Sequence, residues 1–118
     1  MSHTYFIPKK GTPDDLASLH NAEEVAFTAI SNHTHESLCK AFGWSRQFKN
    51  NETGEVIERA YHTTIWDTEP VRIIPDALLD AIEELPNHVY DTFEDALVEL
   101  IDLAHVALDG NHPFIYIF

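Results

Sequence analysis

The chain has 118 residues, 44% hydrophobic and 11% aromatic, enough for one folded domain with its own core and too much for a disordered segment. Twenty Asp and Glu against seven Lys and Arg give a net charge of −13, a field that opposes direct binding to nucleic acid or to an anionic membrane surface. The single cysteine, Cys39, excludes an internal disulfide, and the opening MSHTYFIPKKG has no apolar signal core, so the expected setting is soluble and cytoplasmic.

In chain order, HTYFI (3–7) is β-branched and aromatic enough for a first strand, closed by Pro8 and KKG. TPDD reads as a helix start, with Thr12 as N-cap and Pro13 at the first helical position. Leu16, Leu19, Val25, Ala26 and Ile30 carry an apolar stripe onward, with an interruption near Asn21. HESLCKAFG (35–43) predicts a helix stopped by Gly43. WSRQFK and EVIERAYHTTIW flank the polar connection NNETG and predict a hairpin. Its aromatics, Phe42, Trp44, Phe48, Tyr61 and Trp66, are expected to pack it against helices.

PVRII (70–74) reads as a further strand, and PDALLDAIEEL (75–85) as a helix with Leu78, Leu79, Ile82 and Leu85 on one side. A helix is expected over 91–108, capped by Asp91 with Glu94 three residues on, and stopped by Gly110. PFIYIF (113–118) is apolar at almost every position, as a strand covered on both faces would be. The expected fold is one α+β domain over 1–118. Its small mixed sheet holds the N- and C-terminal strands and a β-hairpin, packed against three to four helices.

Charge is unevenly spread. Residues 1–72 hold ten acids and all seven Lys and Arg, a net of −3; residues 73–118 hold the other ten acids and no Lys or Arg, a net of −10. On a helical wheel at about 100° per residue, the leucines of 91–110 fall on one side. Asp91, Glu94, Asp95, Glu99, Asp102 and Asp109 fall on the other. The helix dipole stabilises the first three by ~0.3–1 kcal/mol each, but not Asp102 or Asp109. A solvated face also mixes in Lys or Arg at i+4, worth ~0.2–0.5 kcal/mol per pair, and here none exists.

The preceding helix repeats the theme, with Asp76, Asp80, Glu83 and Glu84 within about 100° of one another. Carboxylates at i and i+4 lie ~6 Å apart along the axis, comparable with phosphates along a nucleic-acid strand. Val98, Val106 and His105 sit inside the acidic face. The valines are expected to touch a second structural layer rather than to act as apolar anchors in a polar rim. A plain solvated face is the commoner meaning of such a charge run.

Little else points to chemistry. His33, His35 and Cys39 resemble a ligand set for zinc, but there is no second cysteine pair and no H-E-x-x-H, so Cys39 is expected to be a small buried hydrophobe. His62 with Glu58, or His105 with Asp102, could form an acid–base pair only if a pocket aligned them. No phosphate loop and no G-x-S-x-G occurs.

The expectation is therefore a small acidic binding protein, not an enzyme, without cofactor or metal. It would inhibit a basic, nucleic-acid-handling protein by mimicking nucleic acid. In size, charge and lack of catalytic motifs it resembles the small acidic inhibitors of phages and plasmids (anti-CRISPR and antirestriction proteins) and nuclease immunity proteins, with no motif shared. The expected contact residues are Asp76, Asp80, Glu83, Glu84, Asp95, Glu99, Asp102, His105 and Asp109. The partner would be a basic protein, with neither nucleic acid nor membrane bound directly. Two alternatives are a small metal-dependent or acid–base enzyme using His, Asp and Glu, and a structural homo-oligomer such as a homodimer.

Overall fold

Tyr5, Phe6 and Ile7 set the arrangement, because three large consecutive side chains in a strand need cover on both faces. The computed structural model describes residues 2–49, 52–54, 56–60 and 71–118, with the backbone alone for 45–49 and 57–60. The elements are β1 (Ser2–Pro8), α1 (Leu16–His20), β2 (Glu24–Ser31), α2 (Asn32–Phe42), β3 (Ser45–Lys49), β4 (Val56–Ala60), β5 (Val71–Ile73), α3 (Pro75–Glu83), α4 (Asn87–Thr92), α5 (Glu94–Asp109) and β6 (Ile115–Ile117). The fold is α+β, with a four-stranded sheet in the order β2-β1-β6-β5 and a separate two-stranded ribbon, β3-β4.

Both terminal strands lie inside the sheet, as expected, since β1 and β6 pair with each other and each has a second neighbour. The expected mixed sheet is corrected: every pairing among the described strands is antiparallel. The β5–β6 connection explains part of this. It holds two packed helices, α3 and α5, which carry the chain out and back to the end of the sheet where it left. Among the described residues, five helices take the place of the expected three to four.

The main core lies between the sheet and the helices. Tyr5 and Ile7 meet Ile30, Leu38, Leu78, Ile82, Leu97, Leu100, Leu103, Ile115 and Ile117 there. On the opposite face Phe6, Leu19 and Tyr116 are buried with Phe114 and Phe118 against them, so α1 covers part of that side. No helix among the described residues is long and apolar enough to cross a membrane.

Three local expectations are corrected. Thr12 is not a cap; its hydroxyl donates to the Lys9 carbonyl at 2.7 Å. Asp15 caps α1 instead, accepting the Ser18 N–H and the Ser18 hydroxyl at 2.8 Å each, and these bonds hold its carboxyl below the usual range. The apolar stripe past Asn21 is a strand, because in β2 Ala26, Thr28 and Ile30 turn inward while Val25, Phe27 and Ala29 turn out, a period of two.

The third correction concerns residues 91–108, which belong to two helices. The chain breaks at Phe93 (φ −115, ψ 24), next to Thr92, whose hydroxyl bonds back to the His88 carbonyl at 2.7 Å. Such back-bonding competes with the helix ladder and bends it. Asp91 thus sits in the last turn of α4 and caps nothing. Gly110 ends α5 as expected, but the left-handed residue is Asn111 (φ 56), one of the few residue types that tolerate that region. Gly43 (φ 78) ends α2, whose N-cap is Ser31.

Candidate functional site

Every expected contact residue is exposed: Asp76, Asp80, Glu83 and Glu84 on α3 and beside its C-terminus, and Asp95, Glu99, Asp102, His105 and Asp109 on α5. Leu78 and Ile82 of α3 and Leu97, Leu100 and Leu103 of α5 face the core, in line with the amphipathic division, but Leu108, on the same side of the wheel, is exposed. The two sets have different neighbours. Asp80 and Glu84 flank a shallow depression whose other wall is Ala41, Phe42 and Trp44, with the Phe42 and Trp44 rings 4.9 Å apart. Phe42 and Trp44 pack on the core as expected; Tyr61, His62 and Trp66 and the side chains of Phe48 and Glu58 lie outside the described residues.

On α5 the acids divide by angle. Glu99 lies at the rim of the acidic face, where its Oε2 accepts the Thr28 hydroxyl of β2 at 2.7 Å. Asp95 and Asp102 stand one helical turn to either side of it. The structure therefore places Glu99 beside β2, with Asp95 and Asp102 a turn away on the same helix, and sets Asp80 and Glu84 beside the C-terminal end of α2. Asp109 stands in the last turn of α5, which has no basic residue to offset it. There a carboxylate faces the negative end of the helix dipole.

Val98 and Val106 are 43% and 40% exposed, so the expected second layer is not there among the described residues. They stand as isolated apolar patches within the acidic surface. The basic residues Arg72 and Lys9 are occupied in the other half of the chain: Arg72 pairs with Asp14 and lies 4.7 Å from the Phe114 ring centroid, and Lys9 pairs with Glu23 at 3.6 Å.

A second constellation, unlike the acidic surface, is buried. On α2, His35 and Cys39 turn inward and His33 turns out. The Tyr5 hydroxyl lies 2.6 Å from His35 Nδ1, Cys39 Sγ lies 3.8 Å from the same nitrogen, and the His3 ring stacks on His35 at 4.0 Å. Among the described residues no group of three or more His, Cys, Asp and Glu is arranged to hold a metal. His35 and Cys39 also line a pocket of about 240 Å³, otherwise walled by Trp44, Val71, Ile73, Ala77 and Ile117 with Arg72 and Ile74. The sequence paired His35 with Cys39 but not with Tyr5. The alternation of β1 places Tyr5 inward, yet only the tertiary fold selects its partner.

Burial pushes the Cys39 thiol up to about 12 and the Tyr5 hydroxyl well above its ordinary value. Both are protonated at neutral pH, and a protonated thiol is a poor nucleophile. The same shift links stability to pH. The unfolded chain ionises Cys39 near 9.0 and the folded chain near 12, so this contribution is whole below pH 9 and is lost as pH rises towards 12. Urea unfolding at pH 8.0, 9.5 and 10.5 should show a steeper fall in stability for the wild type than for Cys39→Ala. Equal slopes would mean that the thiol ionises freely in the fold.

Comparison with known proteins returned no match: no family model fits the chain, and no curated protein and no solved structure is significantly similar to it.

Proposed function

We propose that the protein is a non-enzymatic binding protein whose acidic helical surface occupies a basic, nucleic-acid-handling site on another protein and inhibits it. The observation that carries this reading is the exposure, on α3, α5 and the turn after α3, of carboxylates from a segment that holds ten acids and no Lys or Arg. Ordinary helix surfaces lower their self-repulsion with i+4 cations. This one keeps its repulsion, which becomes attraction only when a cationic surface approaches. Carboxylates spaced ~6 Å apart along an axis match what a phosphate-binding groove expects. A nuclease complex of a host defence system, or a nuclease toxin, has such a groove.

Affinity capture from lysates of candidate hosts, followed by mass spectrometry, is the direct test. The expected catch is a nucleic-acid-binding protein that added duplex DNA or structured RNA releases. A catch without nucleic-acid-binding proteins across several hosts would sink the proposal. Elemental analysis of the untagged protein separates it from a metal-dependent enzyme, and light scattering over a range of concentrations separates it from a homo-oligomer.

A further inference from the structure

We propose that the outer edge of β2 receives an extended segment of the partner as a fifth strand, and that this segment alternates apolar with basic side chains. The proposal rests on the acidic-surface reading and names the part of the partner that β2 and α5 would hold.

The backbone geometry comes first. Thr4 and Phe118 exchange both hydrogen bonds, at 2.7 and 2.8 Å, so the peptide groups of Thr4 face β6. Along a strand the direction alternates, so those of His3, Tyr5 and Ile7 face β2. Their partners are Ile30, Thr28 and Ala26, which point back at β1. Phe27 and Ala29 are left with their N–H and C=O directed outward, where no strand pairs among the described residues. Edges of this kind are normally blunted by Lys, Pro or a bulge. The sequence of β2, EVAFTAIS, has neither residue, and its register shift lies at the Glu24 end.

The two flanks of that edge differ in chemistry, and together they specify the occupant. On one side stand Val25, Phe27 and Ala29, with Val25 49% and Phe27 62% exposed. On the other, the Thr28–Glu99 hydrogen bond draws α5 against the strand, with Asp95 and Asp102 a turn away from Glu99. A strand laid along the edge sends successive side chains to opposite faces. Every second residue would lie beside Phe27, and the residues between would reach the carboxylates. A second copy of β2 satisfies the hydrogen bonds but sets two such acidic flanks, on chains of net charge −13, against each other. A basic segment satisfies both.

The test uses two end-blocked octapeptides, one alternating valine and lysine and one with four valines followed by four lysines, added to the full chain. Amide hydrogen exchange is read by NMR. The alternating peptide should slow exchange at the Phe27 and Ala29 amides at least tenfold, and the block peptide should not. Equal protection by both would overturn the alternation. Resonance shifts at Asp95, Glu99 and Asp102 with unprotected Phe27 and Ala29 amides would overturn strand addition while leaving the acidic surface as the contact. Protection in the peptide-free protein that grows with concentration, together with a doubled mass by light scattering, would assign the edge to a second copy and overturn the proposal.

Discussion

A chain truncated after Pro113 should show no cooperative unfolding transition by circular dichroism. The truncation removes Ile115 and Ile117, at most 2% exposed, together with Tyr116 at 8%, and it strips Phe114 and Phe118 from the opposite face. Fully buried side chains of this size contribute ~1.5–3 kcal/mol each, against a total stability of ~5–15 kcal/mol for a domain. The loss is also topological, since β6 joins β1 to β5 and without it β5 has no neighbour in the sheet. A milder change keeps the effect measurable. Ile115→Ala should cost ~2–5 kcal/mol in a urea titration, the usual range for a buried large-to-small change. A truncated chain that melts like the wild type would mean that the sheet closes without its third strand.

Reversing Asp95 and Asp102 together to lysine should weaken capture of a basic partner by roughly 10- to 100-fold while leaving the melting transition in place. Both side chains are exposed on α5, and each reversal would exchange an attraction for a repulsion across the proposed interface. Tenfold in affinity corresponds to about 1.4 kcal/mol. Glu99 is unsuitable for this test, because its carboxylate accepts the Thr28 hydroxyl and a lysine there would disturb β2 as well. The wild-type complex should also weaken with added salt, since exposed charges are screened beyond ~8 Å at physiological ionic strength. The single reversal Glu52→Lys, in the turn between β3 and β4, is the control for Asp95→Lys alone and should change little. Equal loss from the control would mean that net charge, and no particular face, attracts the partner. Full binding by the double variant would mean that this flank of α5 is only a solvated surface.

The parts of the fold that sequence made legible are those in which one period dominates. Leu78, Ile82 and Leu85 place α3, and the run of apolar residues at 114–118 places β6 inside the sheet. β2 was not legible, because Val25, Ala26 and Ile30 suit a helical stripe as well as a strand, and only pairing with β1 decides between them. The break at Phe93 was hidden for a related reason: Val89, Tyr90 and Phe93 all reach the core, so the wheel looks continuous while the backbone bends. For the candidate site, exposure of the acids followed from the wheel. Their grouping did not. Whether Asp80 or Glu99 has Trp44 or Thr28 beside it depends on helices and strands far away in sequence.

The position of β6 beside β1 bears on how the chain comes together in time. β1 ends at Pro8 and β6 begins at Ile115, so their pairing closes a loop that holds nearly every other element. Loop closure of this length costs entropy before any contact returns it. Topologies rich in such distant pairings fold in milliseconds to seconds, slower than helical bundles. During synthesis β1 and β2 emerge before β6 and can pair as a hairpin, but the edge of β1 that receives β6 stays open until the whole helical layer has been made. In that interval Tyr5, Phe6 and Ile7 lack part of their cover, and the outer edge of β2 is also unpaired. Until β6 arrives, the nascent hairpin thus exposes the inner edge of β1 as well as the outer edge of β2, and the chain's many carboxylates then help to keep neighbouring chains apart.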